Sequence, residues 1–108
     1  MKKTIPSRSK MIRRLVLDVL KPHNPSVVEL SEALSQLEGI DGVNVLIYEI
    51  DQQVENAKIT IVGNRIDFKS VKEKLEEMGA TIHSVDEVAS GRIIVEEAKT
   101  PQDRSARM

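Results

Sequence analysis

The sequence predicts an α+β fold in which a strand–helix–strand unit occurs twice. Ser26 and Asp67 are both residue types that favour the start of a helix, and an apolar stripe with the spacing of one helix face follows each of them. Runs rich in Val and Ile flank both stripes. The two stripes consist of Val27, Leu30, Leu34 and Leu37, and of Phe68, Val71, Leu75 and Met78.

The first unit begins with a strand predicted over residues 12–20. Leu15, Leu17 and Val19 alternate with Asp18 and its polar neighbours, so the strand has one apolar face and one mixed face. A turn at residues 21–25 contains two prolines, and Ser26 with Glu29 then forms the sequence pattern of a capping box. The second strand is predicted over residues 43–51, with Val43, Val45 and Ile47 on one face and Leu46, Tyr48 and Ile50 on the other.

The second unit repeats this order. A third strand is predicted over residues 57–62, a turn at residues 63–65, a helix between Asp67 and Gly79, and a fourth strand over residues 80–88. The apolar run Arg92-Ile93-Ile94-Val95 predicts an extra C-terminal edge strand. Two right-handed crossovers favour a four-stranded antiparallel sheet of order 4-1-3-2 with both helices on one face, which is the ferredoxin-like βαββαβ sandwich. An open α/β sheet is the alternative, but two helices are too few to cover both of its faces.

Length and composition limit the organisation of the chain. The 108 residues suffice for one domain, which we expect at residues 11–96 between a flexible basic arm at 1–10 and a flexible tail at 97–108. The chain has no cysteine and no apolar run long enough to span a membrane. We therefore expect a cytoplasmic protein without a membrane partner.

The charge balance argues against a protein organised around a polyanion. Sixteen basic residues oppose 17 acidic ones, and the two aromatic residues, Tyr48 and Phe68, provide no stacking platform for bases. The basic arm contains Lys2, Lys3, Arg8 and Lys10, which a nucleic-acid accessory protein would also carry. A solvated terminus explains these charges as well, and we do not expect nucleic acid as a partner.

The second predicted strand is apolar on both faces, although two helices cover only one face of the sheet. The C-terminal run 93–95 or another copy of the chain must then cover the second face. An exposed apolar sheet face is a usual sign of an interface. We therefore expect a homo-oligomer that assembles through the sheet face and the edge strands.

Acidic and imidazole side chains are predicted to gather at one edge of this sheet. The first and second strands end there, and the residues at that edge include Asp18, Glu49, Asp51 and His83, with His23 and Glu55 nearby. Glu49 and Asp51 lie two residues apart, which would place both on one strand face. Carboxylates without thiols favour Ca²⁺ or Mg²⁺, so the predicted metal ligands are Asp18, Glu49, Asp51 and His83. Solvated charges, paired with Lys58 or Arg14, are the alternative.

Two other functions use the same residues differently. A metal-dependent hydrolase or transferase would take His83 as general base beside the carboxylates. A serine triad is disfavoured because His83 and Ser84 are neighbours on a strand and point to opposite faces. We expect a binding, regulatory or structural module without catalysis, and no cofactor other than a divalent cation.

Four segments resemble a small archaeal family that is known as a domain of unknown function. The segments are Leu17-Asp18-Val19-Leu20-Lys21-Pro22-His23, Gly42-Val43-Asn44-Val45, Glu49-Ile50-Asp51 and Ile82-His83-Ser84-Val85-Asp86-Glu87-Val88. The resemblance covers roughly residues 11–96. It implies a compact ferredoxin-like domain that forms homo-oligomers, and it assigns no catalytic residue.

Overall fold

A computed structural model of the chain describes residues 11–99, so the predicted basic arm at 1–10 and all but the first residues of the predicted tail lie outside the described residues. Six elements follow one another in the order βαββαβ. They are β1 (Ile12–Pro22), α1 (Val27–Ser35), β2 (Ile40–Ile50), β3 (Val54–Ile66), α2 (Phe68–Glu77) and β4 (Thr81–Ser90).

The four strands form one antiparallel sheet of order β2-β3-β1-β4. This is the predicted order 4-1-3-2 read from the opposite edge, and the ferredoxin-like fold class is confirmed. Each helix connects two strands that are not neighbours, and the apolar residues of both helices pack against the same side of the sheet. The other side of the sheet, which we call the open face, carries no helix of the described residues.

The core lies between the helices and one face of the sheet, as the alternation in β1 predicts. Leu15, Leu17 and Val19 are buried, whereas Asp18 between them is only half-buried. They pack with three alternating residues of β3 and with the helix stripes; those partners are Ala57, Ile59, Ile61, Leu30, Leu34, Val71 and Leu75. Burial of one such large side chain stabilises the fold by roughly 1.5–3 kcal/mol, so this single layer supplies most of the driving force.

Both predicted helix caps are present. The Ser26 hydroxyl oxygen accepts a hydrogen bond from the backbone N–H of Glu29 at 3.1 Å, and the Ser26 N–H donates to the Glu29 carboxylate at 2.9 Å. The Asp67 carboxylate accepts from the N–H of Lys69 at 3.3 Å. Such caps contribute about 1 kcal/mol each and set the first turn of each helix.

The turn predicted at residues 63–65 is wrong, because β3 continues through it to Ile66. Gly63 pairs with Ile40 at the start of β2. The backbone N–H groups of Asn64 and Arg65 then donate to the carbonyl oxygen of Gly39 at 3.2 and 3.4 Å. The Gly-Asn-Arg sequence is typical of a turn, but these long-range hydrogen bonds keep the backbone extended.

The fifth strand predicted at residues 92–95 is also absent from the described part of the chain, where β4 ends at Ser90. Gly91 has a φ of 113° and its N–H donates to the carbonyl oxygen of Met11 at 2.9 Å, which turns the chain away from the β4 ladder. The Arg13 guanidinium then donates to the carbonyl oxygen of Arg92. A side chain therefore uses a backbone acceptor that a fifth strand would need.

Neither α1 nor α2, the helices of residues 11–99, has the length and apolar character that a crossing of the lipid bilayer requires.

Candidate functional site

Asp18 lies on the open face, as predicted, but in the middle of β1 rather than at the end of the strand. It pairs with Lys58 of β3 on one side and with Ser84 of β4 on the other. The hydroxyl of Tyr48 reaches across β3 and donates a hydrogen bond to the Asp18 carboxylate. This hydrogen bond raises the pKa of Tyr48, because loss of the phenolic proton would place two negative oxygens together. Asp18 thus fixes the only tyrosine of the chain.

Glu49 and Asp51 do not share a strand face, contrary to the prediction. A register shift between Ile47 and Glu49 places Glu49 opposite Asn56, and β2 ends one residue before Asp51. The Asp51 carboxylate caps the β2–β3 turn by accepting the backbone N–H groups of Gln53 and Val54, both at 2.9 Å. The hydrogen bonds from Val54 and Gln53 lower the pKa of Asp51. Asp51 therefore has a structural role in the turn.

His83 lies on the edge strand β4, beside an irregularity in the β1–β4 pairing. Ser84 pairs with Asp18 and Ile82 pairs with Val19, so His83 has no paired residue on β1. Ile82 packs against the core, and His83 is exposed. The Ser84 hydroxyl donates to the Asp86 carboxylate at 2.7 Å. No serine–histidine hydrogen bond is present among the described residues.

Residues 11–99 contain no group of three or more His, Cys, Asp or Glu side chains that could hold a metal ion. The structure places Asp18 near the middle of the sheet, Asp51 in the turn and His83 on the β4 edge, so it does not bring the four predicted ligands together. Two of the carboxylates already accept hydrogen bonds from the protein, Asp18 from Tyr48 and Asp51 from the turn amides. The cation site therefore stays a prediction.

A different polar cluster lies at the end of the sheet where β1 ends and β3 begins. Lys21 is 1% exposed, although it carries a charge. Its ammonium donates to the carbonyl oxygen of Pro22 at 2.7 Å and to the carboxylate of Glu55 at 2.8 Å. The second oxygen of Glu55 lies 2.9 Å from Nδ1 of His23. We call Lys21, His23 and Glu55 the buried-lysine cluster.

The electrostatics of this cluster follow from its contacts. The hydrogen bonds from Lys21 and then from His23 lower the pKa of Glu55. The Glu55 carboxylate and the carbonyl oxygen of Gln52 raise the pKa of His23. A buried ammonium is costly unless it is paired and hydrogen-bonded. Glu55 and the Pro22 carbonyl satisfy that requirement for Lys21.

The sequence patterns predict His23 and Glu55 at this edge but not Lys21. The alternation of inward and outward side chains along β1 and β3 could have indicated Lys21. Lys21 continues the inward series of β1 that includes Val19, and Glu55 continues the inward series of β3 that includes Ala57. A lysine and a glutamate at inward positions on paired strands indicate a buried ion pair. The two residues are direct partners in the β1–β3 register.

A second ion-pair network lies at the opposite end of β1 and joins the sheet to the segment after β4. The Arg14 guanidinium donates to both oxygens of Glu87 at 3.0 Å and to both oxygens of Glu96 at 2.7 and 3.1 Å. Glu96 and Glu87 together raise the pKa of Arg14. Two bidentate contacts to one guanidinium are specific in geometry. They fix residues 91–96 beside the open face.

Apolar side chains interrupt the polar open face on its β2 side. Leu46 and Tyr48 are each 56% exposed, and Val62 of β3 is 37% exposed. Leu46 pairs with Lys58, and Val62 pairs with Arg14, which places both on the open face. We call Leu46, Tyr48 and Val62 the open-face patch. The prediction that β2 is apolar on both sides is therefore correct for Leu46 and Tyr48, whereas the register shift places Ile50 opposite Glu55 on the helix side.

Comparison with known proteins assigns the family. Residues 13–104 match the model of the DUF211 family, which is described as uncharacterized ArCR. The chain belongs to the DUF211 family. It is also 54% identical over 93 residues to the uncharacterized protein MJ0319 of Methanocaldococcus jannaschii, an alignment that covers 86% of this chain and 96% of that protein.

The match confirms the resemblance to an archaeal family of unknown function that the sequence segments indicated. The matched region of this DUF211 chain begins in β1 and extends beyond β4, so it includes both polar clusters and the open-face patch. Neither comparison names a ligand, a reaction or a partner. The function must therefore be argued from the geometry.

Proposed function

We propose that this DUF211 chain is a self-associating structural or regulatory module in which the open face of the sheet packs against a second copy. The observation that carries the proposal is the open-face patch. Tyr48 and Leu46 each leave more than half of their surface in contact with water. Tyrosine is enriched at interfaces because it combines a large apolar area with a polar end.

The unpaired edges of the sheet support the same proposal. β2 has 11 residues and β4 has 10, and neither has a strand partner on its outer side within residues 11–99. Long edge strands present unpaired N–H and C=O groups, and proteins usually cover or interrupt them. A second copy that packs on the open face near β2 would also cover part of this edge.

The charges of the open face favour a second copy over a polyanion. Arg14 is held by two carboxylates, and Asp18 and Glu87 lie on the same face as Lys58. A surface of mixed charge gives little net attraction to phosphates. The same mixture gives a second copy both donors and acceptors around an apolar centre, which is the usual anatomy of a protein interface.

Sedimentation of the 108-residue chain tests the proposal. We expect the wild type to sediment as an oligomer and Leu46→Glu to shift toward the single-chain mass of 12.1 kDa. Val28→Glu is the matched control, because Val28 is 62% exposed but lies on α1, away from the open face. Circular dichroism of all three proteins verifies that the fold is retained.

Two results would overturn the proposal. One is a wild type that sediments as a single chain at every protein concentration. The other is an oligomer that Val28→Glu dissociates while Leu46→Glu leaves it intact, because the interface would then lie on the helices.

A further inference from the structure

His23 lies between two hydrogen-bond acceptors that belong to different segments of the chain. Its Nδ1 is 2.9 Å from a carboxylate oxygen of Glu55, at the start of β3. Its Nε2 is 3.0 Å from the backbone carbonyl oxygen of Gln52, in the β2–β3 turn. His23 itself follows β1 in the loop that leads to α1, so its ring joins this loop to the hairpin.

The identity of the two partners fixes the protonation state that the geometry requires. A carboxylate and a carbonyl oxygen only accept hydrogen bonds. A neutral imidazole has one N–H, so it can satisfy one of these oxygens while its other nitrogen turns a lone pair toward the second. Only the imidazolium, with an N–H at each ring nitrogen, donates to both Glu55 and Gln52.

We propose that His23 is a pH-operated clamp that holds the β2–β3 turn against the β1–α1 loop when it is protonated and releases the turn when it loses a proton. The contact to Gln52 is the one that opens, because Nδ1–H of the neutral ring is retained by the carboxylate of Glu55. The hydrogen bonds from the turn amides to Asp51 and the ion pair between Lys21 and Glu55 are retained when the contact to Gln52 opens. The clamp therefore changes the mobility of the turn without unfolding the sheet.

The charged groups around His23 determine the direction of the response. Glu55 of β3 favours the imidazolium and Lys21 of β1 opposes it. The nearby carboxylate of Asp51 has a pKa that is lowered first by the turn amides of Val54 and Gln53 and then by the same imidazolium. The net effect raises the pKa of His23 above its ordinary value of 6.5. A raised pKa means that the clamp is fully closed below pH 6.5 and opens as the pH rises through the elevated value.

Two measurements on the 108-residue chain test the clamp. The first is an NMR titration of the two histidine rings, assigned with the single variants His23→Gln and His83→Gln. The second is hydrogen exchange of the turn amides of Asp51, Gln53 and Val54, corrected for the intrinsic dependence of exchange on pH. All three N–H groups are hydrogen-bonded within the turn, to Val54 or to Asp51.

We expect the protection of these amides to fall at least about threefold between about pH 6 and about pH 9 in the wild type and in His83→Gln. In His23→Gln, protection should be low and constant, because glutamine does not titrate. His83 is a suitable control since its ring forms no hydrogen bond with another residue in the stretch 11–99, and His23 and His83 are the two histidines of the chain.

The proposal is overturned by a His23 ring that titrates at or below pH 6.5, or by turn amides whose protection depends on pH equally in the wild type and in His23→Gln. Either single variant suffices to assign the two rings of the wild type, so the first point does not depend on the folding of His23→Gln.

Discussion

The α-carbon of Gly63 lies directly against the backbone carbonyl of Gly39, so that a Cβ at position 63 would be 2.0 Å from the Gly39 oxygen. A Cβ at Gly39 would lie 2.1 Å from the oxygen of Arg65, two residues beyond Gly63, and Gly39 has a φ of 88°. The two glycines thus let the loop between α1 and β2 approach the last part of β3 at backbone contact. The Gly39 carbonyl accepts the N–H groups that keep β3 extended past Gly63.

Gly63→Ala is expected to lower the free energy of unfolding by more than about 2 kcal/mol, because the clash is with backbone atoms that cannot rotate away. Urea denaturation measures the change. Gly42→Ala is the matched control, since a Cβ there would meet only the Val62 side chain at 3.8 Å. If the two substitutions cost the same, the close approach of Gly39 and Gly63 does not hold the strand.

Lys21→Met is expected to lower the free energy of unfolding by on the order of 2 kcal/mol, although methionine fills a similar volume. The substitution removes the ammonium that lies 2.8 Å from Glu55 in a site where Lys21 is buried. Lys72→Met serves as the control, because Lys72 is exposed and its pair with Glu76 is an ordinary surface ion pair. If Lys21→Met is more stable than the wild type, the desolvation penalty of the buried ammonium exceeds the stabilisation from its hydrogen bonds.

The segment after β4 is expected to leave the sheet in acid. The hydrogen bond from Arg14 lowers the pKa of Glu96 below its ordinary value of 4.5. The contact is therefore fully present above pH 4.5 and is lost as the pH falls through the lowered value. NMR shifts of the Ile94 and Glu96 amides follow the release.

Glu96→Gln should show the released shifts already at neutral pH, and Glu97→Gln should not. Glu97 is the matched control because it is the exposed neighbour and forms no ion pair within the described range 11–99. Identical spectra for the two variants would show that Glu96 does not hold the segment. High salt should move the amide NMR signals of the wild type in the same direction as acid does, since the Arg14–Glu96 ion pair is partly exposed and salt screens it.

The cation site predicted from the sequence can be tested by calorimetry with Ca²⁺ and with Mg²⁺. The prediction requires a saturable heat in the wild type that is lost in Asp18→Asn, a change that keeps an oxygen acceptor for Tyr48 and removes the charge. Asp41→Asn is the control, because Asp41 is an exposed carboxylate at the start of β2. Equal heats in the two variants would show that Asp18 is not a ligand. The absence of any heat in the wild type would refute the predicted cation site.

Local patterns predicted the type and order of all six elements. The alternation of Leu15, Leu17 and Val19 and the caps at Ser26 and Asp67 are determined by neighbouring residues, so they are visible in the sequence. The topology followed because right-handed crossovers leave few arrangements for two strand–helix–strand units. These steps use short-range sterics, hydrogen bonding and hydrophobic periodicity.

The candidate site was predicted less well, because its geometry depends on strand register. The end of β2 at Ile50 places Asp51 in the turn, and a register shift leaves His83 of β4 without a paired residue on β1; no local signal marks either feature. Such shifts arise from the fit of one strand to its neighbours. The boundary of β3 and the missing fifth strand have the same origin, since hydrogen bonds to Gly39 and to Met11 override the turn and strand propensities of the segments concerned.

The sequence by itself determined the fold class, the strand order, the inward face of each helix and the family, because each of these follows from periodicity or from matched segments. Only the tertiary structure decided that Lys21, Glu55 and His23 form one network and that Arg14 holds Glu96. The physical reason is the separation of the interacting residues along the chain. Amphipathic patterns are read between residues a few positions apart, whereas the two networks join charges that are 34 and 82 residues apart in the chain and meet only after the sheet has formed.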